Sequence, residues 1–216
     1  MVRVNVRMKE ANPAPDTHQG WSLVPIEPYG GSYGAFGVPT LEANAIDYEY
    51  AWAMYLGYGV SGVCWRGPAI FDGPESKAAV AKWVAWYKKY RDTLIGDLIH
   101  VRRPDGQGID GVLHVNAAGG EDSGEGENAI FFGFNPTAQQ LSTNVTLPLY
   151  YAGLEESVTL IASSTSGGGG NSKDNHGHVI ANEGIGTKFN VARDYTITVP
   201  VNIPAEGYAW FVFKGI

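Results

Sequence analysis

The sequence predicts an α/β region followed by an all-β region, with the change near Gly96. Before Gly96, a helical pattern, a short buried strand, a loop and a second helical pattern follow one another, which is the order of a parallel α/β layer. After Gly96, the apolar period changes from about 3.6 residues to two. We therefore expect an α/β segment over residues 1–95 and an antiparallel β-sandwich over residues 96–216.

Two helices and three strands are predicted for the α/β segment, and the first strand is a short one in which Val2, Val4 and Val6 alternate with polar residues. Apolar residues recur at helical spacing over residues 41–56 and again over residues 74–94, where Pro74 suits a first helical turn. Short apolar runs at residues 21–26 and 60–65 predict buried strands. In parallel layers the chemistry lies in the loops after the strands, so the loops that follow these two runs hold the candidate residues.

The sandwich prediction rests on about eight short runs rich in Val, Thr and aromatic residues. Clusters of Gly, Asn, Pro and Asp separate these runs and predict turns. Two of the intervening loops, residues 119–127 and 163–175, are rich in glycine and are expected to be open.

Composition excludes several classes of partner. The formal net charge of −7 and the pI near 5.2 argue against nucleic acid, because phosphate binding needs a basic face. The one cysteine, Cys64, lies in a predicted buried strand and rules out a disulfide framework. No P-loop, dinucleotide fingerprint or G-x-S-x-G motif occurs, so no cofactor is expected.

The sequence gives no sign of membrane association and leaves localisation open. No run approaches the ~18 apolar residues that span a bilayer, and the first ten residues lack an apolar signal core. A secreted or periplasmic parent protein stays open if Met1 is not the true start.

Two carboxylates are the candidate catalytic residues. Glu27 comes just after the first predicted strand, and Asp72 lies in the loop after the second. Glycoside hydrolysis uses a pair of carboxyl groups, and strand ends are where such groups stand in barrels. The alternative for Glu27 is an ordinary loop carboxylate held by a hydrogen bond.

Arg66, Trp65 and Tyr29 are the candidate substrate-binding residues. Arg66 ends the second predicted strand beside Trp65, which combines a planar hydrogen-bond donor with a ring that can stack on a sugar. Tyr29 belongs to a loop rich in glycine and aromatics, which suits a binding loop. The alternative for Arg66 is a salt bridge to Asp72 or Asp47.

A metal site is not expected. His176 and His178 flank Gly177 beside Asp174, but no third ligand has a defined spacing. Solvated loop histidines explain this pair better than a metal site does.

Three runs of the sequence carry a resemblance to a known family. The runs are EYAWAMYLGYGVSGVCWRGPAIFD, WVAWYKKYRDTLIGDLIHVRRPDGQGIDGVLHVN and FFGFNPT. They resemble the carboxyl-terminal part of large bacterial glycoside-hydrolase-like proteins of the α-amylase and α-galactosidase type. In those, a (β/α)8 barrel precedes an antiparallel β-sandwich. The likeness covers residues 21–151 and is most specific over residues 86–116.

The resemblance implies the end of a partial (β/α) barrel with a carboxyl-terminal sandwich. A complete barrel needs about 250 residues, and only about 95 precede the sandwich here. We therefore expect the carboxyl-terminal portion of a glycoside hydrolase, inactive on its own, with a carbohydrate as ligand. The alternatives are a non-catalytic carbohydrate-binding module and a purely structural one. Self-association through the partial α/β segment is a further expectation.

Overall fold

The computed structural model describes Glu42 and residues 45–59, 71–166, 180–181 and 184–216. The chain divides into two compact units, residues 1–87 and residues 88–216, and each is described by itself. The domain limits expected from the sequence, 1–95 and 96–216, stay predictions.

Two α-helices lie in the amino-terminal half of the described chain. Helix α1 spans Ala45–Gly57 and helix α2 spans Pro74–Leu94. The predicted apolar stripe of α2 is confirmed at Val80 and Trp83, which are buried, whereas Val84 is exposed. The buried face of α2 also includes Ala79, Tyr90 and Leu94, which centre it on the side of Trp83, and Val84 follows Trp83 by about 100° of rotation and so lies at its edge. None of the described helices has the length and apolar character needed to cross a membrane.

Nine strands follow in the described part of the chain, and they make up most of its regular structure. They are β1 (Asp97–Arg102), β2 (Asp110–Val115), β3 (Ala129–Phe134), β4 (Leu141–Pro148), β5 (Ser157–Ser166), β6 (Ile180–Ala181), β7 (Lys188–Asn190), β8 (Thr196–Ile203) and β9 (Tyr208–Gly215). The coarse prediction, helices first and a β-rich region after them, is therefore confirmed.

The described strands form two antiparallel sheets. In the larger sheet the order is β1-β2-β3-β9-β5, and β6 and β7 both pair with β5, at opposite ends of that strand. In the smaller sheet β4 pairs with β8 over their full length, from Leu141 opposite Ile203 to Pro148 opposite Thr196. The chain alternates between the sheets, so β3 leads to β4, β4 to β5 and β8 to β9.

One hydrophobic cluster contains side chains of both sheets. Leu113, Phe131 and Phe213 come from the larger sheet, and Leu147 and Val199 from the smaller one. All five side chains are at most 2% exposed. Burial of side chains of this size contributes about 1.5–3 kcal/mol each, so this cluster stabilises residues 88–216 substantially.

The central strands of the larger sheet are buried on both faces. All six residues of β2 and all six of β3 are buried, and so are the first six of β9. Period-two alternation with one solvated face is therefore absent from these three strands. Continuous apolar runs such as AIFF are typical of strands covered on both sides.

The loop between β2 and β3 is held against the last turns of α2. Lys89 forms an ion pair with Glu125, with 2.6 Å between Nζ and Oε1. The carboxylate of Asp92 accepts hydrogen bonds from the backbone N–H groups of Glu121 and Asp122, at 3.1 and 3.0 Å. Residues 119–127 were expected to form an open loop, and these contacts correct that expectation.

Glu127 anchors the same loop from inside. It is fully buried, and its Oε1 accepts a hydrogen bond of 3.1 Å from the Thr93 hydroxyl. Its Oε2 accepts another from Ser123. A buried carboxylate without such donors would be costly, so these hydroxyls make the position tenable. We call the contacts of Lys89, Asp92 and Thr93 with this loop the α2 clamp.

Candidate functional site

Most of the predicted site residues lie outside the described residues. These are Glu27, Tyr29, Trp65 and Arg66, together with His176 and His178. Asp72 is described, and its surroundings are given below. Among the described residues, no group of three or more His, Cys, Asp and Glu side chains is placed to hold a metal ion.

Asp72 lies just before α2 and is hydrogen-bonded to its surroundings. Its Oδ1 accepts hydrogen bonds from the backbone N–H of Glu42 at 2.7 Å and from the Ser76 hydroxyl at 3.2 Å. Its own N–H donates to Ser76 Oγ at 3.2 Å. This carboxylate therefore orders the start of the helix. A catalytic role for Asp72, with Glu27, stays a prediction.

Glu42 completes the amino-terminal end of α2. Its carboxylate accepts hydrogen bonds from the backbone N–H groups of Glu75, at 3.0 Å, and Ser76, at 2.9 Å. These two bonds are the main reason that the pKa of Glu42 lies below its ordinary value. The first turn of a helix has N–H groups without helical partners, and Glu42 supplies acceptors for two of them. Sequence reasoning missed Glu42 because it lies more than 30 positions before Ser76.

Three exposed tyrosines lie together on the surface of the β-rich unit. Tyr150 and Tyr151 are each 62% exposed and Tyr195 is 36% exposed. The ring centroids of Tyr150 and Tyr151 lie 5.2 Å apart, and those of Tyr150 and Tyr195 are also 5.2 Å apart. Both pairs meet edge to face, at 88° and 82°. We call these three residues the tyrosine patch.

The backbone on both sides of the tyrosine patch is firmly held. Tyr150 and Tyr151 begin a 3-10 turn that is flanked by Leu149 and contains Ala152, both fully buried. With these two neighbours in the core, the intervening rings are directed outward. The Leu149 N–H donates to the Tyr195 carbonyl at 2.7 Å, which joins the two segments of the patch.

Tyr195 has an unusual backbone conformation. Its φ is +60°, in the left-handed region that bulky side chains rarely adopt. The tight turn from Ala192 to Thr196 enforces it, because the Tyr195 N–H donates to the Ala192 carbonyl and the Ala192 N–H to the Thr196 carbonyl. Strain of this kind persists where the surrounding structure determines it, and it is often found at binding surfaces.

Exposed rings in mutual contact can form a binding surface that scattered rings cannot. A single exposed tyrosine is ordinary, but three in contact present an apolar face with hydroxyl groups at its rim. Such a surface stacks against flat or ring-shaped ligands and bonds their polar edges. The sequence contains a local signal for this patch in the adjacent Tyr150 and Tyr151.

No protein-family model matches the chain. No curated protein has a significant sequence match to it. The solved structures that are similar to it include the following three. They are AmyP in complex with maltose (10% identity, TM-score 0.39), a GH30 endoxylanase from Clostridium papyrosolvens C71 (11%, 0.35) and CelM2, a bifunctional glucanase-xylanase from a metagenome library (11%, 0.40).

The matches cover 77%, 79% and 100% of this chain, in the same order. The chain spans 34%, 38% and 39% of the length of those proteins. At these identities and TM-scores, the likenesses do not establish a shared fold or a shared activity.

Proposed function

We propose that this chain is the carboxyl-terminal portion of a carbohydrate-active protein of the glycoside-hydrolase type, and that its β-rich unit binds carbohydrate. The tyrosine patch is the observation that carries the binding part of this proposal. Its rings are exposed, in mutual contact and fixed to a buried backbone, which lowers the entropy lost when a ligand stacks on them.

We further propose that the segment before residue 96 is the end of a (β/α) barrel. The two antiparallel sheets are then the layers of a sandwich that follows the barrel. Glu27 and Asp72 are the proposed carboxylates of the parent enzyme, and Arg66, Trp65 and Tyr29 the proposed sugar contacts. The isolated chain is proposed to bind without turnover, because a complete barrel needs about 250 residues.

Retention on polysaccharides tests the binding proposal. Affinity electrophoresis of the full chain through gels containing soluble starch, xylan or a soluble cellulose derivative measures it directly. We expect at least one polymer to retard the wild type. Tyr150→Ala is expected to weaken that binding about tenfold, because loss of one stacked ring is worth about 1–1.5 kcal/mol.

Two further variants separate stacking from other effects. Tyr150→Phe keeps the ring and is expected to keep most of the binding. Ile95→Ala removes an exposed apolar side chain outside the patch, 61% exposed in the wild type, and is expected to change nothing. A wild type that none of the polymers retards would contradict carbohydrate binding and favour the purely structural alternative.

A further inference from the structure

A cleft lies elsewhere in the β-rich unit, away from the tyrosine patch. It has a volume of about 620 Å³ and lies between the smaller sheet and the part of the larger sheet formed by β5 and β7. Ligand sites in proteins have volumes of about 300–1,000 Å³, so the cleft is large enough for a small molecule. It shares no residue with the tyrosine patch.

On the smaller sheet, the hydroxyl of Thr143 stands in a row of side chains that are otherwise apolar. Thr143 on β4 lies opposite Val201, whose side chain belongs to the hydrophobic cluster. Leu141 and Val145, two positions before and after it, pack against the same cluster. Alternation along a strand places Thr143 on that face as well, yet Thr143 is exposed and lines the cleft.

On the larger sheet, the cleft is lined by two hydroxyl-bearing residues of β5, Ser163 and Thr165. Leu160 of β5 belongs to the hydrophobic cluster, and a register shift follows between Leu160 and Ala162. After the shift, Ser163 lies opposite Phe211 and Thr165 opposite Ala209, two residues of the same cluster. The irregularity thus moves Ser163 and Thr165 onto the face of Leu160, and both line the cleft.

Asn202 also borders the cleft, but its amide lies on the other face of the smaller sheet. It follows Val201 on β8, so alternation directs its side chain away from the face that carries Thr143. There its Oδ1 accepts hydrogen bonds from Gln140 Nε2 at 2.7 Å and from the Ser142 hydroxyl at 3.0 Å. The polar side chains on the cluster face of the cleft are therefore the hydroxyls of Thr143, Ser163 and Thr165.

Two aromatic rings add an apolar component to the lining. Phe189 and Phe211 line the cleft, and both rings are held in place by neighbours in the core. Phe211 stacks on Phe131 at 6.1 Å between centroids, and Phe189 meets Phe213 edge to face, also at 6.1 Å. Among the described residues, no charged side chain lines the cleft.

We propose that this cleft is a separate binding site for a neutral mono- or disaccharide unit. The class of ligand, carbohydrate, rests on the proposed function. The cleft adds where the ligand binds, how large it is and that it carries no charge. Hydroxyl groups can donate to and accept from the hydroxyls of a sugar, and the rings match its C–H faces. A sugar acid would lose hydration without gaining an ionic partner among the described lining residues, which therefore favour uncharged ligands.

Titration of the full chain with maltose, cellobiose, xylobiose and galacturonic acid, followed by ligand-observed NMR, tests the inference. We expect saturable binding of at least one neutral disaccharide and weaker binding of galacturonic acid. Thr143→Tyr, which projects a ring into the cleft, is expected to abolish it, and Thr143→Val, which removes only the hydroxyl, to weaken it about three- to tenfold. Thr146→Val, on the same strand but outside the cleft, is the matched control.

The outcomes separate this inference from the proposed function. Loss of disaccharide binding in Thr143→Tyr with unchanged polysaccharide retention, and the converse in Tyr150→Ala, supports two sites. A wild type that binds none of the disaccharides, binding that survives Thr143→Tyr, or equal binding of galacturonic acid overturns the cleft proposal. If Thr143→Tyr does not fold, the fold-change in Thr143→Val against Thr146→Val decides.

Discussion

At the scale of single residues, Asp105 orders the turn between β1 and β2. Its Oδ1 accepts hydrogen bonds from the backbone N–H groups of Gln107 and Gly108, at 2.8 and 3.0 Å. Its Oδ2 lies 3.1 Å from Arg102 in an ion pair. The backbone hydrogen bonds, followed by the arginine, lower the pKa of Asp105 from 3.8 to about 2. The turn itself was predictable, because Pro-Asp-Gly is a strong turn signal.

This pKa has a consequence for stability against pH. A carboxyl group whose pKa is lower in the folded state stabilises that state above its unfolded pKa. We therefore expect the contribution of Asp105 to be complete above about pH 4 and to disappear as the pH falls through about 2. Urea unfolding of wild type and Asp105→Asn at pH 7 and pH 2 measures it.

The two proteins should differ at neutral pH by at most about 1 kcal/mol, because the ion pair is exposed, and should converge in acid. An Asp105 pKa of 3.8 or above, measured by NMR titration, would contradict this prediction.

At the scale of elements, the α2 clamp leaves no room beside its buried carboxylate. A Cβ added to Gly120 would overlap the carboxylate of Glu127 and approach Thr93 Oγ1 to 2.9 Å. Glu127 cannot move away easily, since Thr93 and Ser123 both bond to it. Gly120 therefore serves close packing in this loop.

Gly120→Ala is expected to lower the free energy of unfolding by about 2–3 kcal/mol through overpacking. The control is Gly124→Ala in the same loop, where nothing lies within 4 Å and only the backbone strain of φ +68° applies. That variant should lose about 1 kcal/mol. Chemical denaturation of both gives the comparison, and equal losses would mean that the overlap with Glu127 is relieved without cost.

The helices and most of the strands could be predicted because local periodicity specifies them. The α2 stripe of Val80 and Trp83 follows from spacing alone, and the β-rich region from its short alternating runs. The clamp could not be predicted, because Thr93 and Glu127 are 34 positions apart and neither has a local signature. The register shift in β5 could not be predicted either, because strand pairing and its register depend on residues far apart in the sequence.

At the scale of the whole molecule, the proposed partial barrel has a consequence for association. An incomplete parallel layer leaves strand edges unpaired, and such edges pair with other chains. We expect the isolated chain to be marginally stable or to self-associate through its amino-terminal part. Light scattering after size exclusion, repeated over a hundredfold range of concentration, should show mass that rises with concentration.

Thermal unfolding provides the second measurement of the same prediction. Self-association should make the midpoint of unfolding depend on protein concentration. A sharp, cooperative transition of a monomer, independent of concentration, would contradict it.

The candidate site could be predicted only in part. Asp72 was expected as a carboxylate near a strand end, and the structure places it in hydrogen bonds at the start of α2. The tyrosine patch depends on bringing residues 150 and 195 together through one backbone hydrogen bond. Such proximity is a property of the folded chain, so the sequence alone named Trp65 and Tyr29 and overlooked the patch.

The position of β9 has a consequence for how the β-rich unit forms during synthesis. This strand lies between β3 and β5, so the larger sheet has a gap until Tyr208–Gly215 has left the ribosome. Until then, β3 and β5 each present an edge without its final partner. Contacts between strands so far apart in the chain slow folding and prolong the exposure of apolar edges. A nascent chain of this protein should therefore expose these two edges until β9 is inserted between them.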